Sequence, residues 1–78
     1  MDSASTEENI QEVRNAARDI RRQLEAAARK LKRIEQQADF KHAAMGAAYE
    51  AGAYINAALA RRQRLADAIN SLHTERGE

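Results

Sequence analysis

The sequence predicts an all-α protein, an antiparallel helical hairpin, and three observations carry that expectation. There is no proline in 78 residues, and helix-forming residues dominate throughout. No run of alternating β-branched or aromatic residues signals a strand. Apolar residues recur at alternating spacings of three and four, the signature of helices packed in heptads. At 78 residues the chain forms a single domain, residues 1–78. A core of that size is thin without a staple. With no cysteine, disulfides and thiolate metal sites are excluded, so self-association or docking on a partner is the expected staple.

The first helix is expected over about residues 5–38. Ser5 with Glu8 three residues on fits a capping box, and Glu7, Glu8 and Glu12 suit the positive end of a helix dipole. Its apolar positions run Ile10, Val13, Ala17, Ile20, Leu24, Ala27, Leu31, Ile34 and Ala38, which is a heptad seam. The turn is expected in the polar stretch 35–39, with Asp39 capping the second helix. Gly46 is the competing turn site. A single helix through the whole chain, about 105 Å long, is the alternative architecture.

The second helix is expected over about residues 39–73, with Arg76 and Gly77 closing it. Its main stripe is Ala44, Ala48, Ala51, Ile55, Ala58, Leu65, Ile69 and Leu72, interrupted by Arg62. Between Ala43 and Ala60 the one charged residue is Glu50. A helix apolar nearly all round needs burial on more than one side. The second helix is therefore expected to pack on the first and to offer its other face to a second copy or a partner, with pairing into a four-helix bundle as the most economical assembly. The layout resembles Rop-like helical hairpins, which pair in that way. The likeness is one of architecture and carries no residue roles.

Two surfaces are candidates for function. The first is the alanine belt with its aromatics: Ala44, Ala47, Ala48, Tyr49, Glu50, Ala51 and Tyr54. Small residues admit a close helix, and aromatics on an alanine surface make anchors. Glu50 is expected level with Lys30 and able to pair with it. The second is an arginine set, Arg18, Arg22, Arg29 and Arg33, with Arg61, Arg62 and Arg64 folding back beside residues 16–20. Together they form a candidate contact for phosphates or an acidic partner. A solvated charged face is the plain reading of the same residues, and a snorkelling stem is the plain reading of Arg62.

Net charge is +1, which gives no global attraction to nucleic acid. The charge is uneven: residues 1–13 hold four acids and no base, and residues 14–33 hold eight bases and two acids. His42 and His73 have no convergent ligands around them in sequence, so no metal and no cofactor is expected. No triad, carboxylate pair or phosphate loop suggests an enzyme. The expected function is a non-enzymatic protein-interaction module, a small regulator, inhibitor or adaptor. Its partner would be itself, as a homodimer, or a larger protein. Nucleic-acid binding through the arginines and a structural coiled-coil element are the alternatives. No signal peptide or transmembrane span is expected, so the location read from the sequence is cytoplasmic. Arginine in place of lysine and abundant alanine suit a GC-rich bacterial or phage origin.

Overall fold

A computed structural model describes residues 3–75, with side chains from residue 6 to residue 73. The described chain is helical: α1 spans Ser3–Gln36, α2 Lys41–Ala60 and α3 Arg62–Glu75. α2 and α3 run back along α1 as one bent helix, so the architecture is a hairpin with a Cα frame of 58 × 15 × 14 Å. No helix among the described residues is long and apolar enough to cross a membrane.

The chain turns at residues 37–40, which excludes the single long helix and leaves Gly46 inside α2. The amide of Gln37 still donates to Arg33, and Phe40 then donates to the Gln37 carbonyl at 3.0 Å, closing a tight turn. That closure puts the first residue of α2 beyond Asp39. The N-cap is Phe40 in extended conformation, with no side-chain cap bond, so Asp39 does not cap. At the other end α1 begins at Ser3, which places Ser5 inside the helix. The side chain of Ser5, with Arg76 and Gly77, lies outside the described residues.

The second helix is bent at Arg61, not continuous as expected. The Arg61 amide donates to Ala58, three residues back, at 3.1 Å. In an unbroken α-helix it would donate to Ala57. The Ala57 carbonyl so released accepts from the Arg61 guanidinium at 2.8 Å. A side chain entering the backbone ladder is one of the identifiable causes of a helix bend, and here it needs neither glycine nor proline.

Both seams differ from expectation in the same way. On α1 the residues facing the partner helix are Val13, Ala16, Ile20, Gln23, Ala27, Lys30, Ile34 and Gln37, all buried or half-buried. On α2 and α3 they are Ala44, Ala47, Ala51, Tyr54, Ala58, Arg61, Leu65, Ala68 and Leu72. Every second position lies one residue before the expected one. Ala17, Leu24, Leu31 and Ala38 leave the seam, as do Ala48, Ile55, Arg62 and Ile69. The physical reason is close approach: the buried side chains among the described residues are all alanines, Ala16, Ala26, Ala27, Ala47, Ala51, Ala58 and Ala68. Small side chains on facing positions let the backbones come near, which raises dispersion contact along the seam. The larger aliphatics are then turned outward to one side.

Candidate functional site

Helical periodicity sorts the remaining positions into two flanks of the hairpin. On one flank the helices are tied by charge. Arg64 Nε donates to Glu12 Oε1 at 2.8 Å and Arg61 Nε to Asp19 Oδ2 at 2.7 Å. Arg64 Nη1 lies 3.7 Å from the same Asp19 oxygen. Nearer the turn, Lys30 Nζ meets Glu50 at 2.6 Å, the pairing expected from their levels. The hydrogen bond from Lys30, reinforced by its charge, holds the Glu50 carboxyl below its usual pKa, and Glu12 holds the Arg64 guanidinium above its own. Ala26 and Ala57 fill the space between these pairs, buried and half-buried. We call this the sealed flank.

The other flank is open and apolar. α1 contributes Ala17, Leu24, Leu31 and Ala38, and the returning helix contributes Ala48, Ile55, Leu59 and Ile69. All of them are exposed. Leu24 and Leu31 each keep nearly half of their surface in water, and Leu59 keeps 59%. At the centre a groove of about 290 Å³ has Ile20, Ala58 and Leu65 on its floor. Its walls are Leu24, Ile55, Leu59 and Arg62. Arg62 is the one charge lining that groove. Leu24, Leu31, Ile55 and Ile69, which the sequence places inside the hairpin, lie on this surface instead.

The residues singled out from sequence fall on different surfaces. Ala47 and Ala51 are buried against α1, at 4% and 2% exposure. Ala44 and Tyr54 are half-buried in the same seam, Ala48 lies on the open flank, and Glu50 on the sealed one. Tyr49 points away from both helices, 85% exposed, over a shallow groove with Ala48, Gly52, Ala53 and Asn56. The belt is therefore divided between core, open flank and outer face.

The arginines do not form one patch. Arg61 and Arg64 are engaged by Asp19 and Glu12, and Arg62 faces the apolar groove. Arg18, Arg22, Arg29 and Arg33 are exposed on α1. Arg18 shares a surface patch with Arg14, Ala17 and Arg21, and Arg21 lies 3.7 Å from Glu25. Exposed pairs of this kind contribute little. Among the described residues no three His, Asp or Glu side chains gather to hold a metal ion.

No family model, curated protein or solved structure matches the chain.

Proposed function

We propose that this chain is a non-enzymatic protein-interaction module whose working surface is the open flank. The observation that carries the reading is the set of large aliphatics on one flank, Leu24, Leu31, Ile55, Leu59 and Ile69, at least 39% exposed at every one of these residues, with Leu24, Ile55 and Leu59 lining one groove. Contiguous exposed apolar surface on a small protein marks an interaction site. Two apolar positions per heptad suffice for a two-helix seam, and a third on the same side is the pattern of helices within a larger bundle. The hairpin is half of a four-helix bundle, completed by two helices seated on the open flank. The alanine core adds a second support. It buries too little to stabilise a hairpin of this size alone, so the occupant supplies stability as well as function.

The test is site-specific photo-crosslinking in the cells that make the protein. A photoreactive residue in place of Leu24 should give a crosslinked polypeptide in good yield. The same residue in place of Arg33, beside the sealed flank, should give little. Absence of any polypeptide adduct from position 24 would overturn the reading.

The exposed arginines of α1 support a second reading, contact with nucleic-acid phosphates, because Arg14, Arg18 and Arg21 lie together without a strong acidic partner. Binding of that kind falls steeply with salt. A fluorescent duplex titrated at two salt concentrations, with Arg14, Arg18 and Arg21 replaced by Ala as control, tests it. Salt-independent binding, or none, removes it.

A further inference from the structure

Resting on the interaction-module reading above, we infer that the occupant of the open flank is an amphipathic, acidic helical segment of a different polypeptide, its apolar stripe over the groove and its carboxylates on Arg62, Arg14 and Arg21.

The apolar part of the match follows from the levels of the two arms. The ion pairs Asp19–Arg61 and Lys30–Glu50 align them. Leu31 then stands about level with Ala48, and Leu24 with Ile55, one heptad away. At the second of these levels Leu24, Ile55 and Leu59 wall the groove of about 290 Å³ above Ile20, Ala58 and Leu65. A concave apolar site between two helices receives the side chains of a third. A flat lipid surface would leave its floor unfilled.

The charge lies one heptad further from the turn. Arg62 stands there on the returning helix, about level with Ala17 and Arg18, and forms part of the groove wall. Arg14, Ala17, Arg18 and Arg21 share a patch on the α1 bank. Among the described residues Arg14, Arg18 and Arg62 have no acidic partner, and Arg21 reaches Glu25 only at 3.7 Å. The acids of the same levels, Glu12 and Asp19, are turned to the sealed flank and engaged by Arg64 and Arg61. On the α1 bank the next acids are Glu7, one heptad beyond Arg14, and Glu35, two heptads beyond Arg21. This end of the flank is a cationic margin on an apolar groove, uncompensated within the chain.

The same charges oppose a second copy on this flank. With the ends of two copies matched, a two-fold axis sets Arg62 over Arg14 and Arg21 of the other copy. With the ends reversed, it sets Arg62 beside Lys41. Like charges juxtaposed in this way work against association. A helix carrying Asp or Glu at the Arg62 level compensates all three arginines, and the planar guanidinium fork can hold a carboxylate through two parallel bonds. Phosphates would also meet the arginines, but a nucleic acid has nothing to place in the leucine groove beside them.

The experiment titrates the full chain into two fluorescent helical peptides, each about four heptads long and alike in one leucine stripe. One carries Glu and the other Lys at the positions flanking that stripe. Binding is read by fluorescence anisotropy at about 0.15 M salt, where exposed charges more than about 8 Å apart are largely screened. The Glu peptide should bind at least about tenfold more tightly than the Lys peptide. Arg62→Glu should weaken the Glu peptide by about tenfold and strengthen the Lys peptide. Lys32→Glu, the same charge change at an exposed residue of α1 away from the groove, should leave both affinities within about twofold. Circular dichroism checks that each variant is helical. Equal affinity for the two peptides overturns the inference and leaves the flank an interaction surface, as does an Arg62→Glu effect no larger than that of Lys32→Glu. Binding of neither peptide also overturns it, and the Leu24 photoprobe then decides the interaction reading by itself. A wild-type dimer in sedimentation equilibrium that is lost in Leu24→Glu overturns it in favour of self-association. Vesicles of phosphatidylserine and phosphatidylcholine that take up the chain and displace the Glu peptide overturn it in favour of a membrane surface.

Discussion

The two flanks of the hairpin are built from the same two helices and have opposite chemistry. The sealed flank carries Glu12, Asp19, Lys30, Glu50, Arg61 and Arg64, joined in four cross-helix contacts from 2.6 to 3.7 Å. The open flank carries leucines and isoleucines that touch the hairpin with only part of their surface. Ion pairs at the margin of a seam fix which helix faces meet and in what register, yet contribute little to stability where water reaches them. Aliphatic side chains contribute in proportion to the area removed from water. One flank thus specifies the hairpin, and the other holds most of the burial still available to it.

The largest expected effect follows from that division. Leu24→Ala should cost about 2–5 kcal/mol of stability in the assembled protein, the range for a leucine deleted from a packed interior. In an isolated hairpin, where Leu24 is 47% exposed, the same change should cost less than half as much. Denaturant unfolding with and without the Glu peptide separates the two. An equally small loss in both would mean that the peptide does not cover the flank.

A subtler contrast compares seam and flank on one helix. Ala51 is 2% exposed against α1, and Ala51→Leu forces a larger side chain between closely packed backbones, at a cost of about 1–3 kcal/mol. Ala48, three residues earlier, is exposed on the open flank. Ala48→Leu should leave the hairpin helical, with an unfolding free energy in the isolated hairpin within about 0.5 kcal/mol of wild type. Equal losses at both positions would erase the distinction between seam and flank.

Between the polar interruption at residues 35–39 and Gly46 the sequence left the turn open, but the all-helical class and the hairpin were legible because they rest on periodicity, a local property. Which residues meet across the seam was not. Ranked by hydrophobicity, Leu24, Leu31 and Ile55 outrank Gln23, Lys30 and Tyr54, so in the sequence the apolar stripe runs through them. The helices chose the smaller set because alanines at 47, 51 and 58 permit close approach. The stems of Gln23 and Lys30 can lie along that seam while their polar ends reach the margin. A chain with three apolar positions per heptad does not say which two face inward until its neighbours are known. The bend at Arg61 was hidden for a different reason. It depends on a guanidinium reaching both the Ala57 carbonyl and Asp19, and no residue in the segment is a helix breaker. The three arginines at 61, 62 and 64 look alike in sequence. Their helical phases send two to the sealed flank and one to the open one.

The smallest effect tests the sealed flank alone. Lys30 donates a hydrogen bond to Glu50 and holds its carboxyl below the usual pKa, with Arg33 adding a weaker pull in the same direction. A carboxyl whose pKa is lower folded than unfolded stabilises the fold above its unfolded value, and that contribution is lost as the pH falls through the folded value. Glu50→Gln should therefore lower the melting temperature slightly at pH 7. The difference from wild type should shrink once the pH drops below about 4.5, the ordinary value for this side chain, and vanish in stronger acid. Because the pair lies at a solvent-exposed margin, added salt should shrink the difference as well. Melting curves of the two proteins across pH 3–7 at low salt check both the sign and the window. A difference that persists unchanged into acid would mean that Glu50 acts through packing and not through its charge, and the sealed flank would then owe its register to the alanine seam alone.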